Sequence, residues 1–231
     1  MDQWLHKVEA LIAKADSTDH PAEAEAFMAK AQELMRRHAI DQAMLDAASG
    51  RTVDEITSDT ITVEAPYASA KQNILGAVAS AQNVRAVQLR DGRIELVGFR
   101  SDIDATVFMY GSLATYAVRV MLRATVPEYE SARAFRHAFL LGFAGRMHER
   151  FTEANRIAQA GYEADTGQSA ALVLVDRKKQ VDADFRERYP RTRTKRSTSS
   201  SHAGRNAGRQ AANSAAMGRG VGGGAKLALG S

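Results

Sequence analysis

Trp4, Leu5, Val8, Leu11, Ile12 and Ala15 recur at the three- and four-residue intervals that line one face of an α-helix. The polar stretch from Asp16 to His20 breaks the pattern, and Phe27, Met28, Ala31, Leu34, Met35 and His38 resume it. Asp19 or a neighbour is placed to cap the second helix. Pro21 falls in its first turn, where a missing N–H costs little. The two runs predict a helical hairpin. Ile40-Asp41 restarts a short third helix through Met44 and Leu45 that ends near Ser49-Gly50. So few short helices bury little surface by themselves, so this module needs something to pack on.

Further along, the period changes. Thr60 to Val63 predicts a strand stopped by Pro66, and Tyr67 to Ala81 a helix burying Ile74, Leu75 and Val78. Asp91-Gly92 lies between two β-rich runs and predicts a two-residue type I′ hairpin turn. That turn sets Leu89 opposite Ile94 and Val87 opposite Leu96 on a buried face, with Arg90 opposite Arg93 and Gln88 opposite Glu95 on the other.

Ser101 with Asp104 has capping-box spacing at the start of a helix to about Val126, and after Pro127 a second long helix runs from about Glu128 to Tyr162. Ala171 to Val175 reads as a short buried strand, although its periodicity is also that of a buried helix. Val181 to Tyr189 is helical in pattern, and Arg, Thr, Ser and Gly dominate from Pro190 onward, the composition of a flexible tail. The fold class is therefore α+β: an N-terminal helical hairpin packed with a small mixed or antiparallel sheet and two long helices, then a basic tail. The corresponding divisions are 1–50, 51–189 and 190–231.

Charge sharpens this division. The 231 residues carry a net +4, yet residues 1–50 hold 5 basic and 9 acidic side chains, and residues 186–231 hold 10 basic and 1 acidic. The positive excess belongs to the last fifth of a chain whose body is mildly acidic. There is no cysteine, which removes disulfides, thiolate nucleophiles and Cys-ligated metal sites. The longest uncharged stretch in the apolar middle, Ala105 to Val118, is too short to span a bilayer, and the N-terminus lacks the basic start of a secretory signal. A cytoplasmic location without membrane association is the expectation.

The segment LIAKADSTDHPAEAEAFMAKAQELMRRHAID, residues 11–41, resembles the helical-hairpin signature of domain-of-unknown-function family 2786, found in bacterial and phage genomes. FRHAFLLGFAGRM (135–147), SAALVLVDRKKQV (169–181) and AGRNAGRQA (203–211) add supporting resemblances. The resemblance implies the hairpin architecture and a prokaryotic or phage setting, and it transfers no catalytic residue.

Catalytic patterns are sparse. His137 and His148 share a helix face but lie roughly 16 Å apart along its axis, too far to bind one zinc ion. The serines cluster at Ser197 and Ser199 to Ser201, and the pairs Asp102/Asp104 and Asp182/Asp184 point apart on a helix. Gly218, Gly220 and Gly223 match a dinucleotide fingerprint with no strand before it. No metal or cofactor is predicted.

Arginine is more promising. On the helix from Glu128, Arg136, Arg146 and Arg150 share a sector of about 100° with Phe139 and Phe143, an arrangement suited to phosphates and exposed bases. The plainer reading is that the phenylalanines are core and the arginines snorkel past them to water or to acidic partners. In the tail, Arg186, Arg188, Arg191, Arg193, Lys195 and Arg196 fall within eleven residues, followed by Arg205 and Arg209. Such an arm neutralises phosphates without reading sequence.

The leading expectation is a non-enzymatic accessory protein that binds DNA or RNA through this arm without sequence specificity. The alternatives are a protein-interaction or self-associating module using the acidic hairpin, and a hydrolase with a dispersed site near Arg136, His137 and His148.

Overall fold

The computed structural model describes residues 3–18, 21–49, 54–167, 171–194 and 197–215. Its elements run α1 (Gln3–Ser17), α2 (Pro21–Ser49), β1 (Ile56–Ile61), α3 (Ala68–Ala81), β2 (Arg85–Gln88), β3 (Ile94–Phe99), α4 (Arg100–Arg123), α5 (Ala132–Thr166), α6 (Ala171–Arg188) and α7 (His202–Ser214). The strands form an antiparallel sheet in the order β1-β3-β2. The fold is α+β.

The main core is helical. Val8 and Ile12 of α1, Met35 of α2, Ile74 and Val78 of α3, Met109 and Leu113 of α4 and the Phe135, Phe139, Phe143 and Met147 stripe of α5 meet in one buried cluster. A second cluster lies between the sheet and the helices: Leu75 and Ala79 of α3 and Ile103 of α4 pack on Ile94 and Leu96 of β3. Helix α3 thus buries two faces, Ile74 and Val78 toward α5 and Leu75 and Ala79 toward the sheet, and holds the two layers together. Among the described residues α4 is the one helix long and apolar enough to cross a membrane, and it buries Ile103, Met109, Leu113, Ala117 and Met121 in these clusters.

Helix α3 ends in a hydrogen-bonded reversal that aims the chain into β2. Asn83 takes a left-handed conformation (φ 58°), while Val84 N–H donates to Ala79 O (2.8 Å) and Asn83 N–H to Ser80 O (3.4 Å). These bonds satisfy carbonyls left free at a helix C-terminus, with asparagine in the place glycine usually takes. Val84 then enters the sheet-side core, and the next residue is Arg85 of β2.

Several expectations need correction. The 21–49 segment is one continuous helix without a break at Ile40, because Ile40 is buried with Leu174 of α6 and Met44, one turn on, packs beside it. The first strand occupies Ile56–Ile61 rather than 60–63. The hairpin register is shifted by one: Val87 pairs with Glu95, Gln88 with Ile94 and Ala86 with Leu96. A type I′ turn requires positive φ at both central residues, and of the two only Gly92 has it (φ 89°). Leu89 N–H donates to Arg93 O (2.8 Å), so the loop is the three residues Arg90, Asp91 and Gly92. One extra loop residue moves every pair by one and places Arg90 in the loop.

Ser101 forms no capping box. Phe99 is the N-cap of α4, and Ser101 donates through its hydroxyl to Asp54 Oδ2 (2.6 Å). The 171–175 run is the first turn of α6, not a strand. Of its apolar residues Leu174 alone joins the buried stripe Leu174, Arg177, Val181 and Phe185, spaced for one helix face, while Leu172 and Val175 are 78% and 48% exposed.

The largest departure is in the supposed flexible tail, where residues 202–214 form α7, packed along α5. Gly204, Gly208, Ala211, Ala212 and Ala215 are buried. A Cβ at Gly204 would collide with the Phe135 carbonyl, one at Gly208 with the Phe139 carbonyl, and one at Gly142 of α5 with the Arg205 carbonyl. The glycines that make this stretch look disordered are what let two helix backbones approach so closely. Gly218, Gly220 and Gly223 lie outside the described residues.

Candidate functional site

The predicted arginines separate into two groups. Those on α5 facing α7 are engaged inside the protein. Arg146 Nε donates to Asn213 Oδ1 (2.6 Å), and its Nη1 donates to Glu149 (2.8 Å). Arg209 reaches across from α7 to donate to both Glu149 oxygens (2.9 and 3.0 Å). Arg150 donates to the Ala212 and Ala215 carbonyls at the end of α7 (2.7 Å to Ala215), supplying donors and positive charge where a helix exposes free carbonyls. Arg209 first, and then Arg146, holds the Glu149 carboxyl down to about 2 through their hydrogen bonds. The shared sector of Arg146 and Arg150 is thus a docking seam, and the phenylalanines beside it are core. Arg136 is half-buried, with its Nε enclosed and without a hydrogen-bond partner among the described residues.

The second group borders an open groove of about 800 Å³ between α3, the β2–β3 hairpin and the chain that leaves α6. Residues 189–194 and 197–201 have no regular secondary structure, yet they are tied down at several points. Tyr189 N–H donates to Phe185 O (2.9 Å), Asn73 Nδ2 of α3 donates to Ser197 Oγ (3.0 Å), and the Ser201 hydroxyl donates to Glu130 while accepting from Gly204 N–H (2.9 Å). The segment is a strap between α6 and α7. Arg191 and Arg193 on the strap face the groove together with Arg85 and Arg90 from the hairpin. The amides of Gln72, Asn73 and Gln88 and the hydroxyls of Thr192 and Thr194 share the lining, which contains no Asp or Glu.

The four arginines are not equivalent. Arg85 lies over the Phe185 ring, 5.0 Å from its centroid, with Asp182 at 3.5 Å, so its charge is partly balanced. Arg90, Arg191 and Arg193 have exposed side chains and no carboxylate partner among the described residues. Tyr189 borders the same groove, its ring 5.4 Å from that of Phe185. Its hydroxyl donates to Glu95, and this bond is the first cause of a phenol pKa pushed up to about 12.

The remaining candidates lie elsewhere. Arg188 donates to Asp184 (2.6 Å) and to Ser58 (3.3 Å), Arg205 donates to Ser199 (3.1 Å), and Arg186 is exposed. Lys195 and Arg196 lie outside the described residues. Sequence reasoning missed Arg85 and Arg90 as site residues. Their signal was three arginines, 85, 90 and 93, on one short hairpin.

A buried charge cluster is the other unusual feature. Arg177 of α6 donates to Asp54 (3.0 Å) and Asp102 (3.4 Å) and lies 3.6 Å from the centroid of the Phe99 ring. Burial raises the Asp102 carboxyl to about 6, against the attraction of Arg177. Arg36 of α2 is near enough to feel Asp102, with burial lowering its pKa, and it donates to Ala81 O (3.4 Å). A perturbed carboxyl is a frequent mark of an active site. These residues do not line the groove. They join α2, the approach to β1, α4 and α6 in the interior. His148 is exposed and His137 half-buried, and among the described residues no three His, Asp or Glu side chains gather as a metal-holding group.

No curated protein and no solved structure is detectably similar to the chain. Residues 3–42, covering α1 and about the first three-quarters of α2, match the family described as Protein of unknown function (DUF2786).

Proposed function

We propose that this is a non-enzymatic accessory protein of the cytoplasm that binds nucleic acid through the arginine groove. The observation that carries the reading is a groove bordered by Arg85, Arg90, Arg191 and Arg193 with no carboxylate in its lining. Arginine guanidinium groups suit phosphate oxygens through paired, charge-assisted hydrogen bonds. The amides and hydroxyls between them add neutral donors, and Tyr189 offers an aromatic face for a base. The groove is open and its charges sit on a strap and a hairpin, so backbone contact dominates and sequence preference is weak. Relative to the basic arm expected from composition, the phosphate contacts belong to Arg90, Arg191 and Arg193, while Arg146, Arg150 and Arg209 hold α7.

The test is fluorescence anisotropy with single- and double-stranded DNA and RNA across about 50 to 200 mM salt, comparing the full chain with R90E/R191E/R193E. Binding that weakens with salt, and a log–log slope reduced by about 1 per arginine in the variant, supports the reading. Equal affinity in both proteins, or salt-independent binding, overturns it. Point substitutions are preferable to removing residues 186–231, because that truncation also strips α7 from the core.

A further inference from the structure

A second cavity, about 1120 Å³, lies where the starts of α3 and α5 meet the strap. Arg133 and His137 of α5 line it, four residues apart and therefore on one helix face. Around them stand the Tyr67 phenol and hydroxyls from Ser69, Ser131, Thr198, Ser199 and Ser200. No Asp or Glu is in the lining. The ion pairs of α5 fall further along, at Arg146, Glu149, Glu153, Arg156 and Asp165, leaving Arg133 and His137 without a carboxylate partner among the described residues. Arg205 of α7 donates to Ser199, one of the lining hydroxyls. A concave surface with two basic side chains, several hydroxyls and no carboxylate matches the donor requirement of a phosphate dianion. Tyr67 and Ser131, the N-caps of α3 and α5, also line the cavity, and neither caps its helix with a side chain.

The cavity adjoins the arginine groove. Ser69 lines both, and the strap passes from Ser197 in the groove to Thr198 in the cavity. We propose that the cavity receives a phosphomonoester, the terminal phosphate of a strand whose internal phosphates lie in the arginine groove. The identity of that carrier rests on the groove reading above; the phosphate chemistry of the cavity does not.

The experiment compares one oligonucleotide sequence bearing a 5′-phosphate, a 3′-phosphate or hydroxyls at both ends, bound to the wild-type chain and to R133Q/H137Q. Arg133 is exposed and His137 half-buried, and circular dichroism verifies folding. In parallel, inorganic phosphate and a nucleoside monophosphate are titrated while the His137 ring resonances are followed by NMR. The expected result is a phosphorylated end binding roughly tenfold tighter than hydroxyl ends in the wild type, with that ratio falling to about one in the variant. Equal affinity for all three ends in a protein that binds them overturns the end site and leaves the groove standing. Binding of no oligonucleotide, with His137 still responding to free phosphate, removes the strand as carrier and supports the phosphate chemistry. No response to any probe overturns the site altogether.

Discussion

The arginines of the α5–α7 seam and those of the groove come from overlapping stretches of sequence and have opposite surroundings. Arg146, Arg150 and Arg209 meet Glu149, Asn213 and two helix-end carbonyls. Arg90, Arg191 and Arg193 stand at the edge of a groove without carboxylates. A guanidinium carries five donors and a permanent charge, so what faces it decides its role. Where acceptors of the chain itself are within reach, the arginine joins two helices. Where none is supplied, it is available to an anion from outside. Arginine density alone does not separate these cases.

The largest effect that tests this contrast is steric. Gly208→Val would drive a branched side chain into the Phe139 carbonyl of α5 and force α7 away. We expect a loss of roughly 3 kcal/mol, the upper end of the overpacking range, read by urea unfolding, with early hydrogen exchange in residues 202–214. Unchanged stability would mean that α7 does not dock as described. Next is Arg150→Ala, which strips donors from the Ala212 and Ala215 carbonyls, both on buried residues. The expected loss is about 1–3 kcal/mol, the range for leaving enclosed acceptors without partners.

Acid gives a smaller effect whose direction is fixed by two carboxyls shifted in opposite senses. Glu149 is held down to about 2 in the folded chain, so its contribution is present above its unfolded pKa and fades as pH falls from about 4.5 toward 2. Asp102 is raised to about 6 by burial, so its contribution is present below its unfolded pKa and fades as pH rises through about 6. Thermal melts should therefore show Glu149→Gln flattening the acid limb below pH ~4.5 and Asp102→Asn flattening the limb between pH ~4 and ~6. Exchange of the two effects between the variants would contradict the assignment.

Much of the architecture is legible because it rests on local periodicity. The Ile74, Leu75 and Val78 pattern of α3 and the Phe135, Phe139 and Phe143 stripe of α5 each report a buried helix face directly. The hairpin register is off by one because Asp91-Gly92 is compatible with two loop lengths, and only the sign of φ at Asp91 distinguishes them. Helix α7 was hidden because glycine lowers helix propensity, whereas here Gly204 and Gly208 sit four apart against a neighbouring backbone, a tertiary condition that composition does not report. The groove was hidden for a related reason. Its arginines come from positions 85–90 and 191–193, and the fold brings them together through the α3 reversal at Asn83, the contacts of Tyr189 with Glu95 and of Arg85 with Phe185, and the Asn73 anchor on Ser197.

The smallest expected effect on stability is the most discriminating for function. Arg191→Gln and Arg193→Gln remove charges that face solvent and meet no carboxylate among the described residues, so together they should change unfolding free energy by less than about 0.5 kcal/mol. Removing uncompensated like charges beside Arg85 and Arg90 also relieves mutual repulsion, which sets the sign toward neutral or slightly stabilising at low salt. Calorimetry at low and high salt reads this directly. A loss comparable to that of Arg150→Ala would show that the strap arginines also serve the fold, and the division between seam and groove would collapse. A neutral result leaves these side chains with no structural reason to be arginine, so that whatever demands their charge lies outside the folded chain.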